Sequence, residues 1–231
     1  MSQCSTGGCG LDPAERRKNN VRWMLGALFI VLVSVGWLVP WFGYFVPVCM
    51  IGGVVPAFFV GRKWCDLTCA RGSFLESVMT TVAGSRPIPK LLRSTAFRVA
   101  VLGVLFTMFG IRMVQLWGDW AELGGFFMMF LTVTTVVAIV LGMVFQPRSW
   151  CAFCPIGTLS KFAGAGKKPL QISEACAGCG ICTRACPMDI DIASYAGKGE
   201  ISDADCLKCG ACIAKCPIGA LSFESEKKQA A

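Results

Sequence analysis

Four long apolar runs, separated by polar and positively charged segments, cover the first two thirds of the chain. The runs are residues 21–40, 43–60, 96–117 and 125–146. Each is close to the roughly 17–25 residues that an α-helix needs to cross a bilayer. The second run contains Pro47 and Pro56, so we expect its helix to be kinked or partly unwound. The pattern predicts four membrane-spanning helices.

The hydrophobic pattern ends near residue 165, where the segment GAGKKP leads into a polar, cysteine-rich region. Short Gly/Lys/Pro segments of this kind are typical of linkers between domains. We therefore divide the chain into three parts. They are an N-terminal tail over residues 1–20, a four-span membrane domain over residues 21–165, and a soluble domain over residues 166–231.

The composition agrees with a membrane protein and excludes several function classes. Of the 231 residues, 55% are hydrophobic and 16% are charged, which is more apolar than a soluble domain. The net charge of +8 comes from residues that flank the apolar runs. It therefore indicates contact with membrane lipid and no nucleic-acid binding. The chain contains no histidine, which excludes His-ligated haem, Rieske centres and His-based acid–base catalysis.

Lys and Arg residues lie on one side of the predicted spans. They precede the first span and fill the loop between the second and third spans, whereas the opposite connections, VPWFGYF and WGDWAELGG, contain none. The positive-inside rule therefore places both termini in the cytoplasm and the protein in the inner (cytoplasmic) membrane. Trp23, Trp64 and Trp150 would then be interfacial anchors at the cytoplasmic boundary.

Arg112 is an arginine within the third predicted span. Two interpretations stay open: its side chain reaches the outer surface, or it contacts the head group of a quinone. Because histidine is absent, the expected acceptors of quinol protons are carboxylates. These are Asp119 and Glu122 on the outer side, or Asp66 and Glu76 on the inner side.

The strongest chemical signal is a repeated cysteine motif in the soluble domain. CAGCGICTRACP and CLKCGACIAKCP both have the spacing C-x2-C-x2-C-x3-C-P. This spacing lets three thiolates bind one [4Fe-4S] cluster while the fourth binds the neighbouring cluster. The first predicted cluster is held by Cys176, Cys179, Cys182 and Cys216, and the second by Cys206, Cys209, Cys212 and Cys186. Zinc sites usually separate two C-x2-C pairs by a longer spacer, which disfavours zinc.

The segment between the two motifs, DIASYAGKGEISD, predicts a β-hairpin with its turn at residues 197–199. Over about residues 170–224 the chain resembles a bacterial two-cluster ferredoxin. The resemblance implies an α+β fold and one-electron transfer through two clusters held close together.

A second pair of cysteine motifs lies at the predicted cytoplasmic ends of the second and fourth spans. WCDLTCARGSF contains Cys65 and Cys69, and WCAFCPIGTL contains Cys151 and Cys154. The stretches align after one gap, which indicates an internal duplication of a helix pair with its cysteine motif. Three interpretations stay open: the four thiolates bind a third iron–sulfur cluster, they act as redox thiols or disulfides, or they bind zinc or nothing.

Three further cysteines lie outside these motifs. Cys4 and Cys9 belong to a Gly-rich N-terminal segment, which we expect to be disordered rather than metal-binding. Cys49 lies within an apolar helix, where a cysteine is expected to act as a small packing residue.

The whole arrangement resembles the NapH-type membrane-bound ferredoxins, the iron–sulfur subunits of quinol dehydrogenases, and the related NosR and CcoG proteins. The resemblance covers about residues 21–224. Family members usually carry C-x3-C-P at both membrane-edge sites, whereas here Ala70 follows the first pair and C-x2-C precedes Pro155 in the second. The resemblance implies an all-α four-helix membrane bundle of two duplicated helix pairs, followed by the ferredoxin-like domain.

Three functions follow from these features. The leading hypothesis, implied by the resemblance, is a membrane-bound subunit that moves electrons between the quinone pool and partner oxidoreductase subunits. The second is a redox accessory protein that uses the membrane-edge thiols to reduce a metal or a disulfide during assembly of a partner enzyme. The third is a passive membrane anchor that docks a soluble dehydrogenase.

Overall fold

The structure, a computed structural model, describes residues 13–79, 82, 84 and 86–223. Cys4 and Cys9 lie outside the described residues. Within this part of the chain the α-helices are α1 (Pro13–Leu38), α2 (Phe45–Val54), α3 (Ala57–Val60), α4 (Lys63–Leu67), α5 (Ala70–Met79), α6 (Lys90–Arg93), α7 (Thr95–Gln115), α8 (Trp120–Val144), α9 (Pro155–Ala163), α10 (Ile181–Arg184) and α11 (Ala211–Ala214). Three short 3₁₀-helices cover Pro40–Tyr44, Ser149–Ala152 and Ala193–Tyr195.

Four helical segments are long and apolar enough to cross a membrane. They are formed by α1, by the first 3₁₀-helix with α2 and α3, by α7, and by α8. The second segment is interrupted between Val54 and Ala57. Pro56 lies in this interruption and has no N–H to donate to the preceding turn, which explains the break and confirms the predicted kink.

Each half of the membrane domain ends in a short helical turn followed by a helix. In the first half α4 is followed by α5, and in the second the 3₁₀-helix at Ser149–Ala152 is followed by α9. The helix α5 packs against α1 of its own half and α8 of the other, while α9 packs against α7 of its own half and α2 and α3 of the other. The packing is therefore equivalent in the two halves.

The soluble domain contains a three-stranded antiparallel sheet formed by β1 (Leu170–Ile172), β2 (Glu200–Ile201) and β3 (Leu221–Phe223), in the order β2-β1-β3. Leu170 pairs with Ile201 on one side and with Phe223 on the other. The predicted hairpin was therefore wrong, because β2 pairs with β1 and the residues before it form a 3₁₀-helix.

One apolar core extends from the membrane-edge segments into the soluble domain. Leu75 and Trp150 of the membrane domain belong to the same buried cluster as Met188 and Leu207 of the soluble domain. Because apolar burial is the main favourable contribution to folding, this shared core holds the soluble domain against the ends of the spans.

Candidate functional site

The two membrane-edge cysteine motifs fold in the same way. In each motif the second cysteine donates its backbone N–H to the carbonyl of the tryptophan, Cys69 to Trp64 at 3.1 Å and Cys154 to Trp150 at 3.0 Å. The helices α5 and α9 begin directly after these cysteines. The positive end of a helix dipole therefore lies beside the second thiol of each pair, which favours a negatively charged group there.

Cys65, Cys69, Cys151 and Cys154 line one cavity of about 140 Å³. The charge of each of the other three thiols raises the pKa of Cys65, so the four thiols lie close together. The two sequence-predicted pairs therefore lie in a single site. The cavity has several times the ~30 Å³ that one water molecule occupies in the liquid.

An arginine before each motif reaches across to the opposite motif. Arg62 Nη2 donates to the Cys151 carbonyl at 2.9 Å, and Arg148 Nη1 donates to the Cys65 carbonyl at 2.8 Å. Both arginines are almost fully buried. Each half of the membrane domain therefore fixes the backbone of the other half's first cysteine.

A glycine in each following helix makes room for these crossed hydrogen bonds. A Cβ atom at Gly157 would lie 2.8 Å from Arg62 Nη2 and 2.9 Å from the Cys151 carbonyl oxygen. A Cβ atom at Gly72 would lie 3.3 Å from the Cys65 carbonyl oxygen. The requirement for glycine is thus stronger in the second half than in the first.

Burial raises the pKa of the Cys65 thiol to about 12, although the charge of Arg62 acts in the opposite direction. Burial also raises the pKa of Cys151 to about 11. Redox-active cysteines need an accessible thiolate, which is the reactive form. Burial therefore disfavours the thiolate form of both cysteines, which is the form used in thiol exchange and in metal binding alike.

Arg148 is neutralised by carboxylates of the first half. Its Nε donates to Glu76 at 2.8 Å, and its Nη2 lies 3.5 Å from Asp66. Arg22 of α1 contacts the same two carboxylates at 2.7 Å each, and Lys18 lies 2.9 Å from Asp66. Asp66 and Glu76 are therefore engaged in a network of ion pairs.

Arg62 has its counterion in the soluble domain. Asp205 lies 3.0 Å from Arg62 and 3.2 Å from Lys161, and Arg98 donates to both of its carboxylate oxygens at 2.6 and 2.9 Å. Burial alone would raise the pKa of Asp205, but the hydrogen bond from Arg98 and the surrounding positive charges outweigh it and hold this pKa below its usual range. Asp205 is therefore ionised near neutral pH.

A second cavity lies in the soluble domain and is lined by the four cysteines assigned to the second cluster, Cys186, Cys206, Cys209 and Cys212. Lys208 also lines it and has a φ of 56° although it is not glycine. Its Nζ is buried and has no hydrogen-bond partner among the described residues. A buried, unpaired donor beside four thiols fits the acceptor sulfurs of an iron–sulfur cluster.

The cysteines assigned to the first cluster lie in a more open environment. Cys179 is exposed, and the Ala220 N–H lies 3.4 Å from Cys216 Sγ. Gly180 and Gly210, which precede α10 and α11, have φ values of 73° and 77°. Both motifs therefore use a left-handed glycine, which has no Cβ penalty there, to start the short helix that carries the third cysteine.

Within the described ranges, no three Cys, Asp or Glu side chains are arranged to hold one metal ion. Trp150 Nε1 beside the first cavity is, like Lys208 Nζ beside the second, a buried donor left unpaired in the described structure.

The membrane-edge cavity continues from the thiols into the apolar interior of the spans. Its apolar lining includes Phe29, Phe45, Met50, Phe106, Phe109 and Phe130. Near the thiols, Arg71 donates to Thr134 Oγ1 at 3.0 Å and lies 3.5 Å from Cys154 Sγ. One end of the cavity is thus polar and the other is aromatic.

The structure changes three expectations about single residues. Trp150 is 6% exposed and lies under the guanidinium group of Arg71, so its assignment as an interfacial anchor was wrong. Cys49 lines the membrane-edge cavity, which adds a second role to the predicted packing. Arg112 is exposed and is not among the residues that line this cavity. The quinone-contact interpretation of Arg112 therefore loses its support.

Known families match both cysteine-containing parts of the chain. A family model described as a 4Fe-4S dicluster domain matches residues 168–217. A model described as a 4Fe-4S binding domain matches two segments, residues 42–89 and 127–173. The second model therefore covers both membrane-edge motifs.

Three curated proteins are similar to the chain. The uncharacterized protein MJ0749 of Methanocaldococcus jannaschii is 29% identical over 76% of this chain and 69% of its own length. The uncharacterized protein MJ0750 of the same organism is 24% identical over 74% of this chain and 75% of its own length. YccM of Escherichia coli, provisionally described as an electron transport protein, is 27% identical over 43% of this chain and 28% of its own length. No solved structure matches the chain significantly.

These matches and the cysteine motifs agree on one chemistry. The chain is an iron–sulfur protein, and four of its helical segments are long and apolar enough to span a membrane.

Proposed function

We propose that the protein is a NapH-type membrane subunit that exchanges electrons between a quinone and a partner oxidoreductase. In this proposal the eight ferredoxin cysteines hold two [4Fe-4S] clusters, and Cys65, Cys69, Cys151 and Cys154 hold a third iron–sulfur cluster. When bound, the clusters supply one-electron carriers. Both termini and the soluble domain lie on the cytoplasmic side of the inner membrane.

The observation that carries this proposal is the cavity shared by the membrane-edge thiols and the apolar spans. It is lined by all four thiols at one end and by phenylalanines of α1, α2, α7 and α8 at the other. Binding sites for small apolar molecules combine such a lining with a few polar groups that fix orientation. A quinone in this cavity would lie directly beside the thiol ligands.

Arg71 and Thr134 are the polar groups that would orient the quinone ring. Their hydrogen bond of 3.0 Å lies between the thiols and the aromatic lining, and both side chains can donate to a carbonyl oxygen. Oxidation of one quinol to the quinone releases two electrons and two protons. In the proposal the electrons reach the redox centre of the partner one at a time, and the protons go to solvent water.

The two alternative functions receive less support. Reduction of a metal or disulfide by the membrane-edge thiols requires reactive thiolates, whereas burial raises the pKa of Cys65 and Cys151 far above neutral. A passive anchor has no need of a cavity that joins the thiols to the apolar spans.

The proposal is tested with anaerobically purified protein in lipid nanodiscs. We expect about twelve iron atoms per chain, and about eight in Cys65→Ser and in Cys154→Ser, because two clusters of four irons remain in the soluble domain. Addition of menaquinol or ubiquinol should bleach the cluster absorbance of the unsubstituted protein. A count near eight that Cys65→Ser leaves unchanged would exclude the third cluster.

The quinone cavity is tested separately by Arg71→Gln and Thr134→Val. Both should slow reduction by quinol while the iron content stays at about twelve. Arg112→Gln is the matched control, since Arg112 is an exposed arginine of α7 outside the cavity lining, and it should react at the normal rate. Failure of both quinols to reduce, and of both quinones to oxidise, any cluster would refute the quinone function.

A further inference from the structure

The soluble domain turns its second cysteine motif toward the membrane domain. Lys18 of α1 donates to the carbonyl of Cys209. Lys208 Nζ lies against Gly61, where an added Cβ atom would be 2.6 Å from it. Cys179 of the first motif, by contrast, is exposed to solvent. The second motif is therefore the part of the soluble domain that adjoins the membrane-edge site.

Asp205 is the main polar link across this interface. It directly precedes Cys206, and its side chain is 4% exposed although it is a carboxylate. Its partners Arg62, Arg98 and Lys161 belong to three different elements of the membrane domain. A buried carboxylate surrounded by three cations is strongly bound, because removing it would leave several buried charges unpaired.

The pocket for Asp205 arises from a difference between the two halves of the duplication. Glu76 of α5 forms an ion pair with Arg148, the arginine that donates to the Cys65 carbonyl. The aligned residue of α9 is Lys161, so the second half supplies no carboxylate to Arg62 at this position. Asp205 of the soluble domain occupies the place that a carboxylate of α9 would have filled.

We propose that Asp205 is a positioning residue that docks the soluble domain in the cationic pocket of the second half. It fixes the cluster of Cys186, Cys206, Cys209 and Cys212 as the one that receives electrons from the membrane-edge site. Asp205 does not itself line the quinone cavity, and its contact with Arg62, which does, links the cysteine next to it to the membrane-edge site. The cluster of the exposed Cys179 is then the one nearest the partner. The docking role stands on the geometry, whereas the electron path and its rate measurement rest on the proposed function.

The backbone around Asp205 links the position of its side chain to the position of Cys206. The Asp205 N–H donates to Asp203 Oδ1 at 2.8 Å, and the Cys206 N–H donates to the Asp203 carbonyl at 3.1 Å. Asp205 and the first ligand of the motif thus belong to one hydrogen-bonded turn. Any shift of the docked carboxylate therefore moves the cluster ligand with it.

The test compares Asp205→Asn with Glu200→Gln in nanodiscs. Asparagine keeps the size of Asp205 and removes its charge, whereas Glu200 is an exposed carboxylate of β2 whose charge is removed in the same way. We expect Asp205→Asn to retain the electron paramagnetic resonance signals of both ferredoxin clusters after reduction by dithionite. Its reduction by quinol should be slower by about tenfold or more, since one partner of a buried ion-pair group is lost.

A second readout requires no quinone chemistry. Limited proteolysis of the linker at residues 164–169 reports whether the soluble domain is docked. We expect faster cleavage in Asp205→Asn, unchanged cleavage in Glu200→Gln, and partial restoration of both readouts in Asp205→Glu, which keeps the charge. Arg98→Gln removes one cation that contacts Asp205 without changing the cysteine motif. It should give the same slower reduction by quinol and the same faster cleavage of the linker.

The outcomes separate this inference from the proposed function. If quinol reduces Asp205→Asn and Arg98→Gln at the normal rate and their linkers stay protected, the docking role of Asp205 is refuted while the quinone function stands. If quinol reduces no variant, and the linker is nevertheless cleaved faster in Asp205→Asn, the quinone function fails and the docking role stands.

Discussion

The two halves of the membrane domain share one backbone plan but differ in their charges. Each half supplies an arginine to the opposite first cysteine, a thiol at the start of a helix, and a glycine that admits the arginine. The aligned charged positions, however, are Asp66, Arg71 and Glu76 in the first half and Ala152, Ile156 and Lys161 in the second. The geometry of the site is thus shared, whereas the polarity around it is not.

This difference gives each half a separate neighbour. The first half provides the counterions of Arg148 and places Arg71 in the membrane cavity. The second half leaves its cations to Asp205 of the soluble domain. A duplicated unit can therefore keep one ligand geometry while substitutions one helical turn away direct one copy to the membrane and the other to a soluble domain.

The largest difference between the halves is expected for their arginines. Arg148→Ala leaves the two carboxylates Asp66 and Glu76 to share Arg22 and Lys18. It also removes the hydrogen bonds to the Cys65 and Asp66 carbonyls, so it should reduce the free energy of unfolding by about 3–5 kcal/mol. Arg62→Ala leaves Asp205 paired with Arg98 and Lys161, so about 1–3 kcal/mol is expected. Denaturant unfolding of both variants in the same detergent measures the difference. Equal losses would show that the counterions of the two halves are equivalent.

A smaller difference is expected for the two glycines. Gly157→Ala places a methyl group within 2.9 Å of a backbone carbonyl oxygen, and overpacking of this kind costs about 1–3 kcal/mol. Gly72→Ala has 3.3 Å available and gains about 0.5–1 kcal/mol of helix propensity, so its net effect should be near zero. The thermal unfolding temperatures of the two variants, with their iron content as a second readout, measure this difference. A larger loss in Gly72→Ala would contradict the crossed-arginine geometry.

The smallest difference is expected for the first thiols of the motifs. In cluster-free protein the pKa values of about 12 for Cys65 and about 11 for Cys151 keep both thiols protonated at pH 7. Below its pKa the thiolate fraction of each group, and with it the rate of alkylation by iodoacetamide, rises about tenfold per pH unit. Mass spectrometry between pH 7 and 9 should show this slope and somewhat faster labelling of Cys151.

The exposed Cys179 is the internal reference for this labelling and should react first. Rapid alkylation of Cys65 and Cys151 at pH 7, without the pH slope, would instead support the function in which these residues cycle as redox thiols.

Features encoded locally in the sequence could be predicted. Four runs of apolar residues produced four helices, and Pro56 produced the break in the second one. The four membrane-edge cysteines, which the sequence presents as two pairs, line one cavity. In each case the prediction rested on particular residue types at a fixed spacing, and such local patterns determine local backbone structure.

Features that depend on distant contacts could not be predicted. Asp205 and Arg62 are 143 positions apart in the chain, and nothing in either local pattern identifies the other as its partner. Trp150 follows an apolar run like an interfacial anchor, yet tertiary packing covers it. Strand β2 pairs with β1 and not with its own neighbouring segment. An isolated aspartate directly before a ligand cysteine was the available signal for Asp205.

The short linker between α9 and β1 has a consequence for how tightly Asp205 must bind. Residues 164–169 join Ala163 to Leu170, and six extended residues span at most about 20 Å. A tether of this length gives the soluble domain an effective concentration in the millimolar range at its pocket. Docking that would be weak between separate molecules is then nearly complete within one chain. The same domain supplied as a separate polypeptide at micromolar concentration would dock less completely than the tethered one.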